Sequence, residues 1–416
     1  MAFVAPAGTP VSLGDLASGA LRSLRAEATS ELRRRLCANA NRERAWLVST
    51  GRAAMTLAFQ ALKRAARDPN RVEVIVPGYT CYSVPAAIER AGLVPRLCDV
   101  DPATLSPDVE SLVGLDFSRV LAIVSANLYG LPNALEDLES LARRHGIFML
   151  DDAAQALGAR YRGRPVGSIG DVGLFSFDKG KNITTLQGGV LTANSRALIG
   201  AIEAAGSDLL AASPVGTLGT LCRLPIYALL LKPRFYAAVR RLPLGLGLTP
   251  YQTDYPIAPY SRALAGLAIL QLDRLGEINA ARVANADRLH NALAGVPGLS
   301  APTIMSGAEP VFARYPVFVE PSRRAGLVLA LERAGIGATT SYPRCLADVP
   351  EVARRLPKDQ REIPGAREVA CRILTLPTHA YSPWDLGQRI AVVVDEYLHM
   401  RADGSAGRRP SASRRR

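Results

Sequence analysis

Short apolar runs alternate with longer segments of helical periodicity over the first part of the chain. The runs have the length of buried strands, whereas the longer segments repeat apolar residues every three or four positions, as amphipathic helices do. The predicted strands are Ala45–Ser49, Val72–Val76, Val94–Val100, Arg119–Ser125 and Ile147–Leu150. The predicted helices are 21–39, Ala53–Ala66, Val84–Ala91 and Ala134–His145. This alternation predicts an α/β domain whose central sheet is mostly parallel.

The last part of the chain predicts a second, smaller α/β layer. A long helix starts at about Leu264, and a helix over Trp384–Tyr397 closes the pattern. The segments between them that resemble strands are Val311–Val319, the turn at Ile336–Tyr342 and Ile373–Pro377. We therefore predict a large domain at 1–263, a small C-terminal domain at 264–400 and a disordered basic tail at 401–416.

One segment of the first domain has a different pattern. Residues 213–247 are apolar, punctuated by Gly and Pro, and carry scattered Arg and Lys, so we treat about 205–256 as an insertion. Packing on the body or on a partner subunit is the favoured interpretation. The alternative is peripheral membrane contact through 213–247, with the apolar residues in the lipid interface and the basic ones reaching outward.

Composition and charge fit a globular protein that handles anions. The 416 residues allow two or three domains, with 48% hydrophobic and 21% charged residues. The formal charge is +13, of which the tail, with six Arg and one Asp, supplies +5. The remaining +8 suits an anionic substrate such as a nucleotide sugar. The tail has no apolar residue larger than Ala, so we expect it to be solvated rather than to bind lipid or nucleic acid.

The cysteines and the N-terminal sequence indicate which cellular compartment to expect. Six scattered Cys form no C-x-x-C motif, and four His show no paired ligand spacing, so no metal site is predicted. The first residues do not read as a signal peptide, and no run of about 18 apolar residues predicts a spanning helix. We expect a cytoplasmic protein, membrane-associated only if the insertion meets lipid.

The strongest chemical signal lies between Phe148 and Gly189. Asp152 ends an apolar run, and Lys181 lies in a loop rich in Ser, Gly, Asn and Thr. A carbonyl cofactor such as pyridoxal 5'-phosphate needs an amine that forms an imine and a carboxylate that keeps the ring nitrogen protonated. Each residue also has a simpler interpretation. Asp152 could cap a helix, and Lys179 is an equal rival of Lys181 on the pattern alone.

Other polar residues follow predicted strands. The turn Thr50-Gly51-Arg52-Ala53 leads into a helix, and helix N–H groups with an Arg form a phosphate site, although a plain strand–helix turn is as common. Asn127 and Tyr79 follow strands too, where ordinary turn chemistry is the alternative, and Gln155 lies near a ring substituent or simply on a helix face. Because ligands bind at the carboxyl ends of parallel strands, we expect these residues to line one pocket.

These segments, in this order, resemble the DegT/DnrJ/EryC1/StrS aminotransferases, a fold-type-I family that uses pyridoxal phosphate and acts mainly on nucleotide-linked keto-sugars. The resemblance covers about Val48–Asn194 and Leu264–Tyr397. Its most specific parts are VIVPGYTCYS, RLCDVDPATLSPD, ANLYGLP, HGIFMLDDAAQALGARYRGRPVGSIGDVGLFSF with the KN that follows, and ILTLPTH. It implies a large domain with a mostly parallel central sheet and a smaller C-terminal α/β domain.

The resemblance also assigns roles. In the family pattern S-F-x-x-x-K-N the lysine before Asn forms the imine, which implies Lys181 rather than Lys179, and Ser176 holds the phosphate. The second acid of the Asp-Asp pair, Asp152, matches the partner of the pyridine nitrogen, and Gln155 matches a glutamine that contacts the ring. Relatives that dehydrate or deoxygenate sugars carry His at the lysine position, so the lysine implies transamination.

Three features depart from the family pattern. Arg52 replaces a Thr in the phosphate turn, where a guanidinium can serve a phosphate at least as well. The aromatic residue that stacks on the cofactor falls at Cys81, which cannot stack, so that Tyr79 or Tyr82 would have to substitute. An N-x-R motif that reaches the partner subunit's phosphate is missing before the long helix, where Tyr260-Ser261-Arg262 follows the insertion.

The resemblance implies a homodimeric aminotransferase of polysaccharide or amino-sugar biosynthesis. It would move an amino group from an amino acid, which the resemblance implies to be L-glutamate, to a keto-sugar that is linked to a nucleotide. In some relatives the acceptor is a cyclitol instead of a sugar. No nucleic acid is expected beyond the nucleotide of the substrate. The alternatives are a pyridoxal phosphate-dependent sugar dehydratase or deoxygenase, and a membrane-associated family member without catalysis.

Overall fold

A computed structural model describes residues 2–207, 209, 211–239 and 250–406. Its strands are β1 (Arg44–Val48), β2 (Glu73–Pro77), β3 (Val94–Cys98), β4 (Val120–Ala126), β5 (Phe148–Asp152), β6 (Arg160–Tyr161), β7 (Arg164–Pro165), β8 (Val172–Ser176), β9 (Gly189–Ala193), β10 (Leu299–Ser300), β11 (Ala308–Glu309), β12 (Tyr315–Val319) and β13 (Ile373–Leu376). Its α-helices are α1 (Leu13–Ser23), α2 (Ala28–Ala40), α3 (Gly51–Ala65), α4 (Ser83–Arg90), α5 (Leu135–His145), α6 (Arg196–Gly206), α7 (Pro214–Leu230), α8 (Pro233–Val239), α9 (Ala265–Asp273), α10 (Leu275–Leu293), α11 (Pro321–Arg333), α12 (Pro350–Ala353), α13 (Pro364–Arg372) and α14 (Leu386–Ala406).

Seven strands form the central sheet, in the order β1-β9-β8-β5-β4-β2-β3. All run in one direction except β9, which is antiparallel to both of its neighbours. Strand β4 lies near the middle, and all seven of its residues are buried, as its unbroken apolar sequence requires. The mostly parallel sheet predicted from the sequence is therefore confirmed. Strands β8 and β9 were not among the predicted strands.

Helices cover both faces of this sheet. Helices α3, α4 and α6 belong to one buried apolar cluster, and α2, α5 and α9 belong to the other. Helix α3 buries most of its length, from Ala53 to Leu62 except Gln60, because small and apolar residues occupy nearly every position there. The two apolar layers hold the sheet rigid, so the loops at its edge start from fixed positions.

Two predicted helices are broken in the structure. The segment 21–39 is the end of α1 followed by α2, and the long helix from Leu264 divides at Arg274 into α9 and α10. At Arg274 the backbone leaves helical geometry (φ −103°, ψ 12°), and its N–H bonds to the Gln271 carbonyl three residues back. Apolar periodicity continues across both breaks, so the pattern alone did not reveal them.

The C-terminal segment contributes a separate three-stranded sheet, β10-β12-β13. Strand β12 covers only the end of the predicted Val311–Val319, and 336–342 makes isolated bridges, Ile336 to Val4 and Thr339 to Thr375, instead of a strand. A third small sheet pairs β11 with β6 and therefore crosses the proposed domain boundary at residues 263 and 264. Helix α14 extends to Ala406, into the predicted tail, and 407–416 lie outside the described residues.

The insertion contains helices α7 and α8, while 240–247 lie outside the described residues. In the ranges that the structure describes, none of the helices combines the length and the apolar character needed to cross a bilayer.

Candidate active site

A cavity of about 250 Å³ lies at one edge of the central sheet. The carboxyl ends of β1, β4, β5 and β8 and the amino end of β9 meet there, because β9 runs opposite to the rest. Eight of the ten residues predicted to bind the cofactor line it: Gly51, Arg52, Cys81, Asn127, Asp152, Gln155, Ser176 and Lys181. The other two, Ala53 and Tyr79, lie outside this lining.

The two acids at the end of β5 have different surroundings. Asp151 accepts hydrogen bonds from the N–H groups of Gly167 (2.6 Å) and Ile169 (3.3 Å) and from the side chain of Asn127 (2.8 Å). Burial raises its pKa to about 6, although these donors and Arg42 oppose the shift. One of its oxygens is thus committed to the loop that precedes β8 and the other to Asn127, and it does not line the cavity.

Asp152 points into the cavity with one oxygen uncommitted. Its Oδ1 accepts from the N–H of Ala154 (2.9 Å), and none of the residues described donates to Oδ2. Burial raises the pKa of Asp152 above its usual range, while the hydrogen bond from Ala154 and the positive charge of Lys181 lower it. This carboxylate can therefore receive an N–H group from a ligand.

Asn127 holds the ends of β4 and β5 together. Its Nδ2 donates to Asp151 and to the carbonyl oxygen of Asp152 (3.0 Å), and its Oδ1 accepts from the N–H of Asn133 (3.0 Å). All of these partners belong to the protein. The side chain lines the cavity, and its hydrogen bonds fix the position of Asp152.

Gln155 is held between two tyrosines. Its Oε1 accepts from the backbone N–H of Tyr129 (3.1 Å), and its Nε2 donates to the hydroxyl of Tyr342 (3.2 Å). The Tyr129 hydroxyl lies 2.9 Å from that of Tyr79, whose ring meets Tyr342 edge-on at 6.0 Å. Burial raises the pKa of Tyr79 well above its usual value, so this hydroxyl is neutral. Tyr79 thus supports the wall of the cavity from behind.

The start of α3 and the end of β8 form a narrow cradle. Thr50 caps α3 by accepting the N–H of Ala53 (3.1 Å), so the N–H groups of Gly51 and Arg52 are left without intrahelical acceptors. A β-carbon on Gly51 would lie 2.9 Å from the hydroxyl oxygen of Ser176. Two N–H groups at a helix start next to a hydroxyl can bind a phosphate.

Arg52 sends its side chain away from this turn. Its Nη1 donates to Gln252 (3.4 Å), and the guanidinium lies over the ring of Tyr255, 5.2 Å from its centre. These partners lie in the last part of the insertion, and nearby Pro250 also lines the cavity. The end of the insertion thus forms part of the cavity wall.

The loop between β8 and β9 presents two lysines, of which Lys181 is the one whose charge acts on Asp152. Lys179 also lines the cavity but is exposed. Residue patterns left these two lysines as equal candidates. The effect of the Lys181 charge on the pKa of Asp152 favours Lys181. The assignment of the imine to Lys181 remains a prediction.

Buried polar residues of α9 and α10 clamp this loop. Arg282 donates to the carbonyl oxygens of Lys181 (3.4 Å), Gly8 (2.9 Å) and Ala313 (3.0 Å). Burial lowers the pKa of Arg282 to about 10, which leaves the guanidinium charged at neutral pH. The lysine backbone is therefore attached to the N-terminal segment and to the C-terminal part of the chain.

Two further clamps act on the same loop. Gln271 accepts the N–H of Thr184 (2.9 Å) and donates to its carbonyl (2.7 Å), and Asn279 accepts from the side chain of Asn182 (2.9 Å). Amide side chains buried on an apolar helix need such partners. The amide side chains in the pattern of α9 and α10 were the available signal, but Gln271 and Asn279 were not among the predicted site residues.

Two cavity residues from the C-terminal segment were also missed. Tyr342 lines the cavity beside Gln155, whereas neither Tyr79 nor Tyr82 does. Arg314 lines it too, and its Nη1 donates to the hydroxyl of Ser341 (3.1 Å). Both lie more than 130 residues after Lys181, in segments whose patterns indicate only strands and turns.

Known proteins are similar to this chain in sequence and in fold. The model of the DegT/DnrJ/EryC1/StrS aminotransferase family matches residues 16–207 and 261–391. GDP-perosamine synthase of Caulobacter vibrioides is 38% identical over 35% of this chain and 38% of its own length. L-glutamine:2-deoxy-scyllo-inosose aminotransferase of Streptomyces paromomycinus is 36% identical over 40% of this chain and 39% of its own. These matches therefore span about two fifths of the length of both relatives.

A solved structure covers nearly the whole chain. DesV of S. venezuelae, determined in complex with a ketimine intermediate, superposes with a TM-score of 0.71 at 25% identity, over 94% of this chain and 95% of DesV. The fold is thus that of the fold-type-I pyridoxal phosphate-dependent enzymes, as the resemblance implied.

Proposed function

Because the chain belongs to the DegT/DnrJ/EryC1/StrS aminotransferase family, we propose that it is a pyridoxal 5'-phosphate-dependent aminotransferase. One observation carries the proposal: Lys181 and Asp152 line the same cavity, and the charge of the amine acts on the carboxylate. The amino group would pass from an amino acid to a keto-sugar, in polysaccharide or amino-sugar biosynthesis.

The residues of the cavity fit this cofactor at each end. The cradle of Gly51 and Ser176 has no room for a β-carbon on the glycine, but it offers N–H groups and a hydroxyl for a phosphate. At the other end, Asp152 has an oxygen that no described residue uses, which suits a protonated ring nitrogen. Lys181 supplies the amine. We therefore propose that these four residues hold the cofactor.

When bound, pyridoxal phosphate supplies an aldehyde carbon that takes up an amine and a ring that withdraws electrons. Lys181 Nζ would take the proton from Cα of the amino-acid donor and later return a proton to the carbon that becomes the amine carbon of the product. Asp152 would keep a positive charge on the ring nitrogen by accepting its hydrogen bond. Asn127 would hold Asp152 in place through the carbonyl oxygen of that residue.

The charge of the lining supports anionic substrates. Four cationic side chains, Arg52, Lys179, Lys181 and Arg314, line the cavity together with two acids, Asp152 and Asp178. We propose that Arg314 binds a carboxylate of the donor, glutamate or, as the name of one relative suggests, glutamine. The excess of positive charge favours a nucleotide-linked keto-sugar over an uncharged cyclitol as acceptor.

The assembly that we propose is a homodimer. Arg262 is exposed next to the buried Tyr260, at the place where relatives reach the phosphate of a partner subunit. Tyr260 itself donates to the Leu264 carbonyl (3.3 Å) and lies 2.8 Å from the Thr185 hydroxyl, so it supports the lysine loop from within the chain. All six thiols are unpaired, which fits the cytoplasm that we propose as the compartment.

Covalent trapping tests the proposal. The purified protein is incubated with pyridoxal phosphate and reduced with borohydride, and the modified residue is identified by mass spectrometry. We expect the label on Lys181, with its loss in Lys181→Ala and its retention in the matched control Lys179→Ala. A label on Lys179, or undiminished labelling of Lys181→Ala, would contradict the assignment.

Assays of amino transfer then identify the substrates. Glutamate and glutamine are compared as donors, and keto-sugar nucleotides and keto-cyclitols are compared as acceptors. Loss of water from the sugar without amino transfer would indicate the dehydratase alternative.

A further inference from the structure

Helix α7 carries apolar residues on two opposite sides. Thr220, Leu224 and Ala228 form its buried stripe. The residues Val215, Leu218, Cys222, Ile226 and Leu229 are exposed. At 100° per residue this second stripe spans about 80° and lies opposite the first. A helix on a water-exposed surface would present polar residues there.

The buried side of α7 is firmly attached to the protein. The Tyr227 hydroxyl accepts from the N–H of Thr9 (2.9 Å) and donates to its carbonyl oxygen (3.2 Å). Leu231 packs so closely on Gly8 that a β-carbon there would lie 2.4 Å from its side chain. The exposed stripe, with Val215 at 81% and Leu218 at 62% exposure, thus belongs to a fixed surface.

The helices next to α7 also expose apolar residues. Helix α1 packs against α7, and Leu13 and Leu21 of this helix and Leu24 directly after it are exposed. Helix α8 follows directly after α7 and exposes Phe235. Exposed apolar residues on three adjacent helices indicate a surface that meets an apolar partner.

The charges in the segment that contains α7 and α8 have one sign. From residue 209 to residue 253 the sequence holds no Asp or Glu and five basic residues: Arg223, Lys232, Arg234, Arg240 and Arg241. The three that the structure describes, Arg223, Lys232 and Arg234, are exposed, and no ion pair joins them to any described acid. Apolar residues next to unpaired basic ones fit a partner that is apolar inside and anionic outside.

We propose that α7 and α8 dock this protein on an anionic lipid bilayer. The stripe from Val215 to Leu229 and Phe235 would enter the boundary between head groups and acyl chains, about 5–10 Å deep. Arg223, Lys232 and Arg234 would contact the lipid phosphates. A second copy of the chain fits less well, because a two-fold contact between the α7 and α8 helices of two copies would bring their basic residues together, and residues 209–253 hold no acid to pair with them.

Vesicle sedimentation of the full chain tests the docking. We expect binding to vesicles of phosphatidylcholine with phosphatidylglycerol, and little binding to phosphatidylcholine alone. Leu218→Asn/Ile226→Asn should weaken binding roughly tenfold or more. The matched control Leu329→Asn/Val392→Asn alters residues of similar exposure on α11 and α14 and should bind as wild type.

The charges are tested in the same way. Arg223→Gln/Arg234→Gln should weaken binding about fivefold for each charge removed. Arg333→Gln/Arg354→Gln removes the same charge from other exposed positions and should have little effect. Equal losses in both pairs would mean that net charge alone drives adsorption, which would overturn the proposed surface.

A dye attached within the exposed stripe of α7 reports directly whether this stripe enters the bilayer. In Cys371→Ser an environment-sensitive dye on Cys222 should shift its emission towards the blue when anionic vesicles are added. In Cys222→Ser the emission of the dye on Cys371, which is also exposed, should not shift.

The oligomeric state provides the outcome that would overturn the proposal. If Leu218→Asn/Ile226→Asn converts a dimer into a monomer in sedimentation velocity and leaves vesicle binding unchanged, the surface joins two copies and the proposal is wrong. Neither reading requires activity, so both are independent of the proposed reaction.

Discussion

A β-carbon on Gly51 would lie 2.9 Å from the hydroxyl oxygen of Ser176, although 125 residues separate the two in the sequence. They meet because Gly189 of β9 pairs with Ser176 on one side and with Val48, at the end of β1, on the other. The backbone of the turn after β1 therefore approaches the end of β8 closely, and only glycine leaves the space between them open.

Replacing Gly51 should weaken cofactor binding. Gly51→Ala places a methyl group between the turn and Ser176, so we expect roughly tenfold weaker binding of pyridoxal phosphate, equal to about 1.4 kcal/mol. Titration of the cofactor-free protein, followed by visible absorption, measures it. Gly200→Ala in α6, where a β-carbon meets nothing within 4 Å, is the control and should bind normally. Equal affinity in the two variants would remove the cradle from the site.

The Asp-Asp pair should separate activity from stability. Asp152→Asn removes the charge that would hold the ring nitrogen protonated, and we expect amino transfer to fall about a thousandfold with little change in unfolding temperature. Asp151→Asn turns an amide donor either towards the N–H groups of Gly167 and Ile169 or towards the Nδ2 donor of Asn127, and should lower the free energy of unfolding by about 3 kcal/mol. Rate measurements and chemical denaturation of both variants check this. The reverse pattern would exchange the two roles.

Arg282 should act as a positioning residue for the lysine loop. Arg282→Met leaves the carbonyl oxygens of Gly8 and Ala313 without their donor and that of Lys181 with only the Thr9 hydroxyl, which should cost about 3 kcal/mol of stability. It should also shift the pH profile of the visible band of the lysine-bound cofactor, because the lysine changes position. Arg282→Lys should restore part of that profile. A destabilised variant with an unchanged profile would limit Arg282 to a structural role.

Arg314 should determine the affinity for the donor. Arg314→Gln removes the proposed partner of the donor carboxylate, and we expect KM for glutamate to rise roughly thirtyfold with a smaller change in kcat. Lys179→Gln removes another positive charge from the same lining and is the control. If both variants raise KM equally, the general field of the cavity, rather than a contact with Arg314, attracts the donor.

His379 should make the fold sensitive to acid. Its buried ring donates from Nε2 to the Ala5 carbonyl oxygen (2.9 Å) and accepts at Nδ1 from the N–H of Tyr381 (3.3 Å), so no site remains for a second proton. Burial, reinforced by the charge of Arg282, lowers the pKa of His379 to about 4. Between pH 6.5 and 4 the unfolded chain binds a proton that the folded chain does not, and stability decreases as the pH falls, by about 3 kcal/mol in total.

The comparison of wild type with His379→Gln isolates this effect. Glutamine can keep the bond to Ala5 but takes up no proton, so the stability advantage of wild type over the variant should shrink as the pH falls from 7 to 4.5. Denaturant unfolding at several pH values measures the difference. A difference that stays constant with pH would show that the His379 ring does not titrate in the way that we expect.

Local patterns in the sequence predicted the class of fold and the site residues that come directly after strands. Apolar runs separated by amphipathic segments require buried strands covered by helices, and polar residues directly after such strands fall at the carboxyl edge of a parallel sheet. Asp152, Asn127 and the Thr50 turn follow from this rule. The roles of Lys181 and Ser176 are predicted only by the resemblance to the family pattern S-F-x-x-x-K-N, because the residues alone leave Lys179 and Lys181 as equal candidates.

The choice of which group faces the cavity, and of what holds it there, depends on tertiary packing. Asp151 and Asp152 are neighbours with the same chemistry, and Asp151 is withdrawn because the N–H groups of a later loop occupy one of its oxygens and Asn127 occupies the other. The backbone of Lys181 is held by Arg282, and Arg314 and Tyr342 reach the cavity from the C-terminal segment. Such contacts depend on how the chain packs in three dimensions, and no spacing along the sequence encodes them.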